Sequence, residues 1–280
     1  MPALITPFDV ASEIDLAAHV HNISVATTVG ARGVLIAGST GEGPYLEPGE
    51  RTTLVATARE FDPDITVICG VSAESDRQAL HHVHDAVNGR ADAVLVVTPG
   101  SLVRNRTGPI IDFFVRIADE SPLPVFLYTV PSVTAYELPV EAVLELARHP
   151  NIVGMKDSGG NAGRLEEIAS VMSLDFVVYA GSSRALADSA DRGAHGAITA
   201  SANYAWRFAD AAISGDRSAQ DDLIELISVV EPHGVPGTKY AASLTGMRSG
   251  HARLPLRSLD SSVQARIRAA IADSPLTLGD

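Results

Sequence analysis

Short apolar runs rich in valine, isoleucine and leucine recur along the chain, and most are closed by glycine, serine or Thr-Pro. They occupy residues 3–6, 33–38, 66–71, 93–98, 125–130, 152–156, 176–181 and 196–201. Runs of this kind are typical of strands that are buried on both faces of a parallel sheet. The pattern therefore predicts eight parallel strands.

Amphipathic stretches separate these runs and are long enough for crossover helices. Examples are residues 76–88, 108–119, 140–148 and 162–172. Further helical stretches follow the last run at 204–213, 220–230, 238–245 and 261–272, with a turn-rich connection at 231–237. Strand and helix alternating eight times favour a closed barrel over an open sheet. We predict one α/β domain over residues 1–280, a (β/α)8 TIM barrel with additional C-terminal helices from about residue 204.

Composition narrows the range of partners. The chain has 34 acidic and 21 basic residues and a formal net charge of -13, which would repel nucleic acid and anionic membranes alike. No apolar run approaches the roughly 18 residues of a membrane span, and the start of the chain lacks the features of a signal peptide. The single cysteine, Cys69, lies in an apolar run and is expected to be buried and unreactive. We expect a soluble, cytoplasmic protein.

Lysine is rare in this chain, which contains only Lys156 and Lys239. In a barrel, chemistry belongs at the carboxyl ends of the strands, and Lys156 ends the sixth apolar run. A buried amine there becomes a nucleophile if its pKa falls by roughly three units from about 10.4. The alternative is a lysine that reaches solvent or pairs with Asp157. Lys239 opens a later helical stretch, where we expect a solvated or capping role.

Two other groups are predicted to lie near Lys156. Tyr128 ends the fifth run and would transfer protons, although a packed tyrosine with a satisfied hydroxyl is the alternative. Ser39 and Thr40, in the Gly-Ser-Thr-Gly loop at 38–41, would present hydroxyls and backbone N–H groups to a small carboxylate. The loop matches no nucleotide-binding pattern, and a plain glycine-rich turn is its alternative.

Three histidines at 81, 82 and 84 raise the possibility of a metal site. His81 and His84 are spaced to share one helical face. The surrounding stretch is polar and amphipathic, so a solvated helix face is favoured. We predict no metal.

Taken together, these motifs resemble the dihydrodipicolinate synthase and N-acetylneuraminate lyase family of pyruvate-dependent Schiff-base enzymes. The matching segments lie at 3–8, 38–42, 96–99, 127–132, 151–158 and 193–198, so the resemblance covers nearly the whole chain. It implies a TIM barrel, no cofactor, and a homotetramer built as a dimer of dimers. The imine would form on Lys156 and act as the electron sink that lets a C–C bond break or form.

The resemblance also implies roles for individual residues. The catalytic residues would be Lys156, Tyr128 and Thr40. The substrate-binding residues would be Ser39, Thr40, Gly181, Ile198 and Ser158. The expected partners are a 2-oxo acid such as pyruvate and an aldehyde.

Several positions depart from the family pattern. Gly100 and Ser101 replace a tyrosine pair that usually completes a proton relay across a subunit interface. Val133 replaces the arginine usual in synthases that accept aspartate semialdehyde. Arg104 and Arg106 would contact a distal carboxylate, unless they form a solvated basic loop.

The segment at 138–160 looks closest to the 4-hydroxy-2-oxoglutarate aldolase branch. We therefore predict a lyase that cleaves a 4-hydroxy-2-oxo acid by a retro-aldol reaction. One alternative is a 4-hydroxy-tetrahydrodipicolinate synthase or a 2-oxo acid hydro-lyase. Another is a non-catalytic 2-oxo acid binding protein of the same fold.

Overall fold

Seven parallel strands form one sheet in the computed structural model of the protein, which describes residues 1–275. Each strand pairs with its neighbours in chain order. The strands are β1 (Gly33–Ile36), β2 (Thr66–Val71), β3 (Ala93–Val97), β4 (Val125–Thr129), β5 (Ile152–Asp157), β6 (Val177–Ala180) and β7 (Gly196–Ala197). They correspond to the second to eighth apolar runs of the sequence, although β7 covers only two residues of the run at 196–201.

The N-terminal segment fills the gap between the two edge strands. The N–H of Ala3 donates to the carbonyl of Thr199, just after β7, at 3.0 Å. The N–H of Leu4 donates to the carbonyl of Leu35 in β1 at 2.9 Å. These contacts close the sheet, and the predicted (β/α)8 barrel is confirmed.

The prediction of a regular strand over residues 3–6 is wrong. Only isolated parallel bridges, Pro2 to Thr199 and Ala3 to Leu35, join this segment to the sheet. The ladder stops because the N–H of Ile5 donates to the side chain of Asn203, at 3.1 Å, instead of to a strand carbonyl. A side chain on the loop after β7 thus takes the place of a backbone partner.

Twelve α-helices lie within residues 1–275. They are α1 (Leu16–Thr28), α2 (Glu50–Phe61), α3 (Asp76–Asn88), α4 (Thr107–Glu120), α5 (Pro131–Thr134), α6 (Val140–Leu146), α7 (Arg164–Glu167), α8 (Leu186–Asp191), α9 (Trp206–Ile213), α10 (Arg217–Val230), α11 (Gly234–Leu244) and α12 (Ser261–Asp273). The last four follow β7, as predicted for the C-terminal extension. No helix in this part of the chain combines the length and the apolar character that crossing a bilayer requires.

Two helical predictions differ from the structure. Residues 162–172 contain only the short helix α7, followed by turns. Arg164, the first residue of α7, is buried and forms an ion pair with Asp157 of β5. This contact holds the segment against the barrel, so it does not form the predicted surface helix. In the predicted connection at 231–237, α11 already begins at Gly234. Pro236 fits there because the first turn of a helix does not need its N–H.

Apolar side chains form two layers, one on each side of the sheet. The barrel interior includes Leu35, Leu95, Phe126 and Ile198. The alternate positions of the strands pack outward against the helices, and Cys69 lies in that outer layer. The expectation that Cys69 is buried is confirmed, and burial raises the pKa of its thiol to about 11, which disfavours the reactive thiolate.

A buried histidine links α1 to α2. His19 is 1% exposed, and its Nε2 lies 3.1 Å from the carbonyl oxygen of Leu54. Burial lowers the pKa of His19 to about 4, although the Leu54 hydrogen bond acts in the opposite direction. The unfolded value is higher, about 6.5. The neutral ring therefore contributes stability above about pH 6.5 that is lost as the pH falls towards 4.

We predict that His19→Gln makes folding stability less sensitive to acid. Between pH 7 and pH 4.5, protonation of His19 on unfolding should cost the wild type about 2–3 kcal/mol, a loss that the variant lacks. Urea unfolding at the two pH values measures this difference. His84→Gln, which changes an exposed histidine on α3, is the matched control and should behave as wild type. Equal acid losses in wild type and His19→Gln would contradict the prediction.

Candidate active site

Lys156 and Tyr128 stand side by side in the barrel. The register of β4 and β5 pairs Tyr128 with Lys156, and β6 continues the row with Tyr179. Met155 points into the outer layer, so the alternation of side chains along a strand turns Lys156 inward. Its Nζ lies 3.5 Å from the Tyr128 hydroxyl and 4.5 Å from the ring centroid. The structure thus brings together the predicted amine and phenol.

The side chain of Asp157 is engaged elsewhere. Its Oδ2 lies 2.8 Å from Nε of the buried Arg164, and its Oδ1 accepts the N–H of Gly159 at 2.8 Å. Arg164 also approaches Glu137, at 3.7 Å. Within residues 1–275, Lys156 forms no ion pair, so the alternative pairing of Lys156 with Asp157 is not what the structure shows. The amine keeps Tyr128 as its polar neighbour.

Gly181 makes room for the lysine stem. A Cβ atom at this position would lie 2.8 Å from Lys156 Cε and only 2.0 Å from Ser158 Oγ. Both Gly181, at the end of β6, and Ser158, at the end of β5, therefore adjoin Lys156. Ile198 is fully buried in the barrel interior after β7. Three of the predicted substrate-binding residues thus lie at the carboxyl ends of β5, β6 and β7.

The loop that carries Ser39 and Thr40 follows β1 at the same end of the barrel. Its backbone is left-handed at Ala37 and at Glu42, each with a φ of 57°. At Gly43 a Cβ atom would lie 2.0 Å from the Ala37 carbonyl oxygen, so only glycine permits this close approach. Ser39 and Thr40 are half-buried.

Glu74 holds the loop that lacks the tyrosine pair. Its carboxylate accepts the N–H groups of Gly100 and Ser101 at 3.3 and 3.0 Å and the Ser101 hydroxyl at 2.6 Å. Burial raises the pKa of Glu74, but these hydrogen bonds outweigh it and the net pKa is lowered. Sequence reasoning missed Glu74. Its place directly after a predicted strand, at the carboxyl edge, was the available signal.

The basic and histidine-rich segments contribute no built site. Arg104 and Arg106 are exposed on the loop before α4. His81 and His84 are exposed on α3, as expected for a solvated face. No group of three or more His, Cys, Asp or Glu side chains in residues 1–275 is arranged to hold a metal ion.

The expectation of a solvated or capping Lys239 is wrong. Lys239 is 3% exposed, and its Nζ lies 2.5 Å from Oε1 of Glu42. Burial lowers the pKa of Lys239, and Glu42 acts against this shift. The cause is the early start of α11, which places Lys239 inside the helix and against the loop after β1.

Comparisons with known proteins agree over the length of the chain. A model of the dihydrodipicolinate synthetase family matches residues 1–274. The chain is 33% identical to a 4-hydroxy-tetrahydrodipicolinate synthase of Methanosarcina mazei, over 95% of this chain and 94% of that protein. It is 32% identical to an uncharacterized DapA-like lyase of Halobacterium salinarum, over 98% and 92%. The crystal structure of dihydrodipicolinate synthase from Aquifex aeolicus matches with a TM-score of 0.88 at 29% identity, over 96% and 95% of the two chains.

We predict that Gly181→Ala displaces Lys156 without unfolding the protein. The new methyl group would collide with the lysine stem and Ser158, and a misplaced amine should react with pyruvate about 100-fold more slowly. The rate of pyruvate-dependent borohydride labelling of Lys156 measures the effect. Gly108→Ala is the control, because no atom lies within 4 Å of its added Cβ. A labelling rate equal to that of wild type would show that the methyl group is accommodated.

Proposed function

Since the chain belongs to the dihydrodipicolinate synthetase family of carbon–carbon lyases with pyruvate-dependent Schiff-base chemistry, we propose that Lys156 forms the imine and that the substrate is a 4-hydroxy-2-oxo acid. The reaction would be a retro-aldol cleavage that yields pyruvate and an aldehyde. The supporting observation is the position of Lys156, which is 4% exposed inside the barrel and 3.5 Å from the Tyr128 hydroxyl.

The proposed reaction begins at the 2-oxo carbon. The Lys156 amine attacks this carbon, and the resulting carbinolamine loses water to give an iminium ion. Tyr128 is close enough to Nζ to carry a proton to the departing hydroxyl group. Ser39 and Thr40 would bind the carboxylate beside the reacting carbon through hydroxyl and backbone N–H groups.

Cleavage then uses the iminium ion as an electron sink. The 4-hydroxyl group gives its proton to the Tyr128 oxygen, which is deprotonated after it has protonated the departing hydroxyl group. The C3–C4 bond then breaks, its electron pair forms the C2=C3 bond of the enamine while the C=N pair moves to nitrogen, and the aldehyde leaves. Protonation at C3 and hydrolysis of the imine release pyruvate and restore the free amine. All electrons are supplied by the substrate, so no redox partner is required.

Residues after β3 and β4 support a substrate other than aspartate semialdehyde. Val133, on α5 after β4, is 67% exposed and offers no guanidinium group to a second substrate. Gly100 and Ser101 present no phenol, and Glu74 fixes their loop. We propose that the exposed Arg104 or Arg106 contacts the distal carboxylate of the substrate instead.

A second candidate is 4-hydroxy-tetrahydrodipicolinate synthase. The name of the Methanosarcina mazei relative favours it, at 33% identity over 278 residues. The same imine and enamine on Lys156 would serve, but the enamine would attack aspartate semialdehyde instead of being protonated.

The homotetramer also stays a proposal. The exposed side chains of Leu102 and Val133 at the barrel mouth offer apolar surface for contacts between subunits.

The proposal is tested by trapping the imine. We expect pyruvate with borohydride to leave a reduced adduct on Lys156 in the wild type and none in Lys156→Ala, as mapped by mass spectrometry. Turnover of 4-hydroxy-2-oxoglutarate to pyruvate and glyoxylate would support the aldolase. Consumption of aspartate semialdehyde together with pyruvate would support the synthase. An adduct without turnover of either would indicate a binding protein. No adduct on a folded wild type would overturn the assignment of Lys156.

Tyr128→Phe should slow the proton transfers of the reaction while it leaves the Lys156 amine in place. Loss of the hydroxyl is expected to slow turnover by about 10²–10⁴-fold, the usual contribution of a general acid–base group. The Lys156 adduct should still form at saturating pyruvate, because the amine is unchanged. Steady-state kcat and borohydride trapping on the same sample measure the two effects. Unchanged kcat would leave Tyr128 as a packing residue only.

A further inference from the structure

A buried ion pair joins the C-terminal helices to the loop after β1. Glu42 is 1% exposed and Lys239 is 3% exposed. Lys239 Nζ lies 2.5 Å from Glu42 Oε1 and donates to the His251 carbonyl oxygen at 2.5 Å. The amine also lies over the ring of Phe8, whose centroid is 4.8 Å from Nζ. These contacts hold the amine inside the protein, against the loop after β1.

The second oxygen of Glu42 is also held. Glu42 Oε2 accepts the N–H of Arg253 at 2.8 Å. The Arg253 guanidinium in turn forms hydrogen bonds of 2.5 and 2.6 Å with the two carboxylate oxygens of Glu50, at the start of α2. The loop between β1 and α2 is thus tied to the segment between α11 and α12 at Glu42 and again at Glu50, where α2 begins.

Glu42 needs these contacts because its backbone is in an unfavourable region. It has a φ of 57° and a ψ of 32°, a left-handed conformation that residues with a Cβ adopt rarely. It lies two residues after Thr40, so the direction of the chain at Glu42 sets where Ser39 and Thr40 stand. Fixing the carboxylate of Glu42 fixes the backbone of that loop.

A second buried cation holds the opposite side of the same loop. Arg51 of α2 is 2% exposed, and its guanidinium donates to the carbonyl oxygen of Gly43 at 3.2 Å and to that of Gly70 at 2.5 Å. This contact joins the loop to the end of β2. The loop that carries Ser39 and Thr40 is therefore held on one side by the barrel and on the other by the C-terminal extension.

We infer that Glu42 and Lys239 are positioning residues for the binding of the substrate carboxylate. Their ion pair holds Ser39 and Thr40 in the arrangement that receives the pyruvyl carboxylate, while neither residue contacts the reacting atoms. This inference rests on the proposed function, because it takes pyruvate as the ligand of that loop. It also assigns the C-terminal extension a role in substrate binding.

The test compares two variants in which the pair is broken differently. Lys239→Met leaves a buried carboxylate without its partner, whereas Glu42→Gln/Lys239→Met removes both charges and should fold more stably. In both, the pyruvate concentration that half-saturates borohydride trapping should rise about ten-fold. The maximal trapping rate at Lys156 should change less than about three-fold, because the amine keeps its surroundings.

Arg217→Met is the matched control, because it removes a cation that pairs with Asp188 and Asp191 on the exposed surface. Its half-saturating pyruvate concentration should equal that of wild type. If the two pair-breaking variants have lower melting temperatures but bind pyruvate as wild type does, the pair is structural only and the inference is overturned. Failure of the wild type to form any adduct would instead overturn the proposed function.

A measurement on the wild type covers the case in which the variants do not fold. Pyruvate bound by Ser39 and Thr40 should slow hydrogen exchange in the peptide that contains Glu42. It should also slow exchange at Arg253, whose N–H donates to the Glu42 carboxylate. Protection near Glu42 without any at Arg253 would contradict the coupling, and protection at both would support it.

Discussion

The amine of Lys156 faces the interior of a closed barrel, and the register of three strands puts it there. β4, β5 and β6 pair so that Tyr128, Lys156 and Tyr179 form one row across the sheet. A slip of one residue in β5 would turn Lys156 outward, towards the helices, where Met155 now packs. The space that Gly181 leaves beside the lysine stem is used only in that register.

Residues that the proposed chemistry does not use shape much of the site. Arg51 holds the carbonyl groups around the loop after β1, and Lys239 holds the carboxylate of Glu42 on the same loop. Buried charges destabilise a protein unless hydrogen bonds or opposite charges compensate them. Arg51 donates hydrogen bonds to backbone carbonyl groups, and Lys239 pairs with the Glu42 carboxylate. Arg164 does the same for Asp157 beside the lysine. Internal polar networks thus connect short loops at the barrel mouth to the rest of the protein.

The mouth itself is the part of the site that departs most from the family pattern. Where a tyrosine pair is usual, Gly100 and Ser101 are bonded to Glu74. Gly100 also lies close to the loop after β4, where an added Cβ would be 3.1 Å from Thr134 Cα. The site thus has the predicted lysine and tyrosine side by side in the barrel, whereas its mouth differs from the family pattern, which is why we propose a different second substrate.

The sequence by itself determined the strand order, the closed barrel, the C-terminal helices, and Lys156 and Tyr128 as neighbours, because each depends on local apolar runs and on chain order. Its motifs also pointed to Ser39, Thr40, Ser158, Gly181 and Ile198, all now found at the carboxyl ends of strands. Only the tertiary structure decided that Lys239 is buried, that Glu74 binds the loop with Gly100 and Ser101, and that residues 3–6 do not form a regular strand. Each of those depends on partners far apart in the chain, such as Glu42 with Lys239 or Ile5 with Asn203. The local pattern of apolar and polar residues does not indicate such pairings, because they arise only when distant segments pack together.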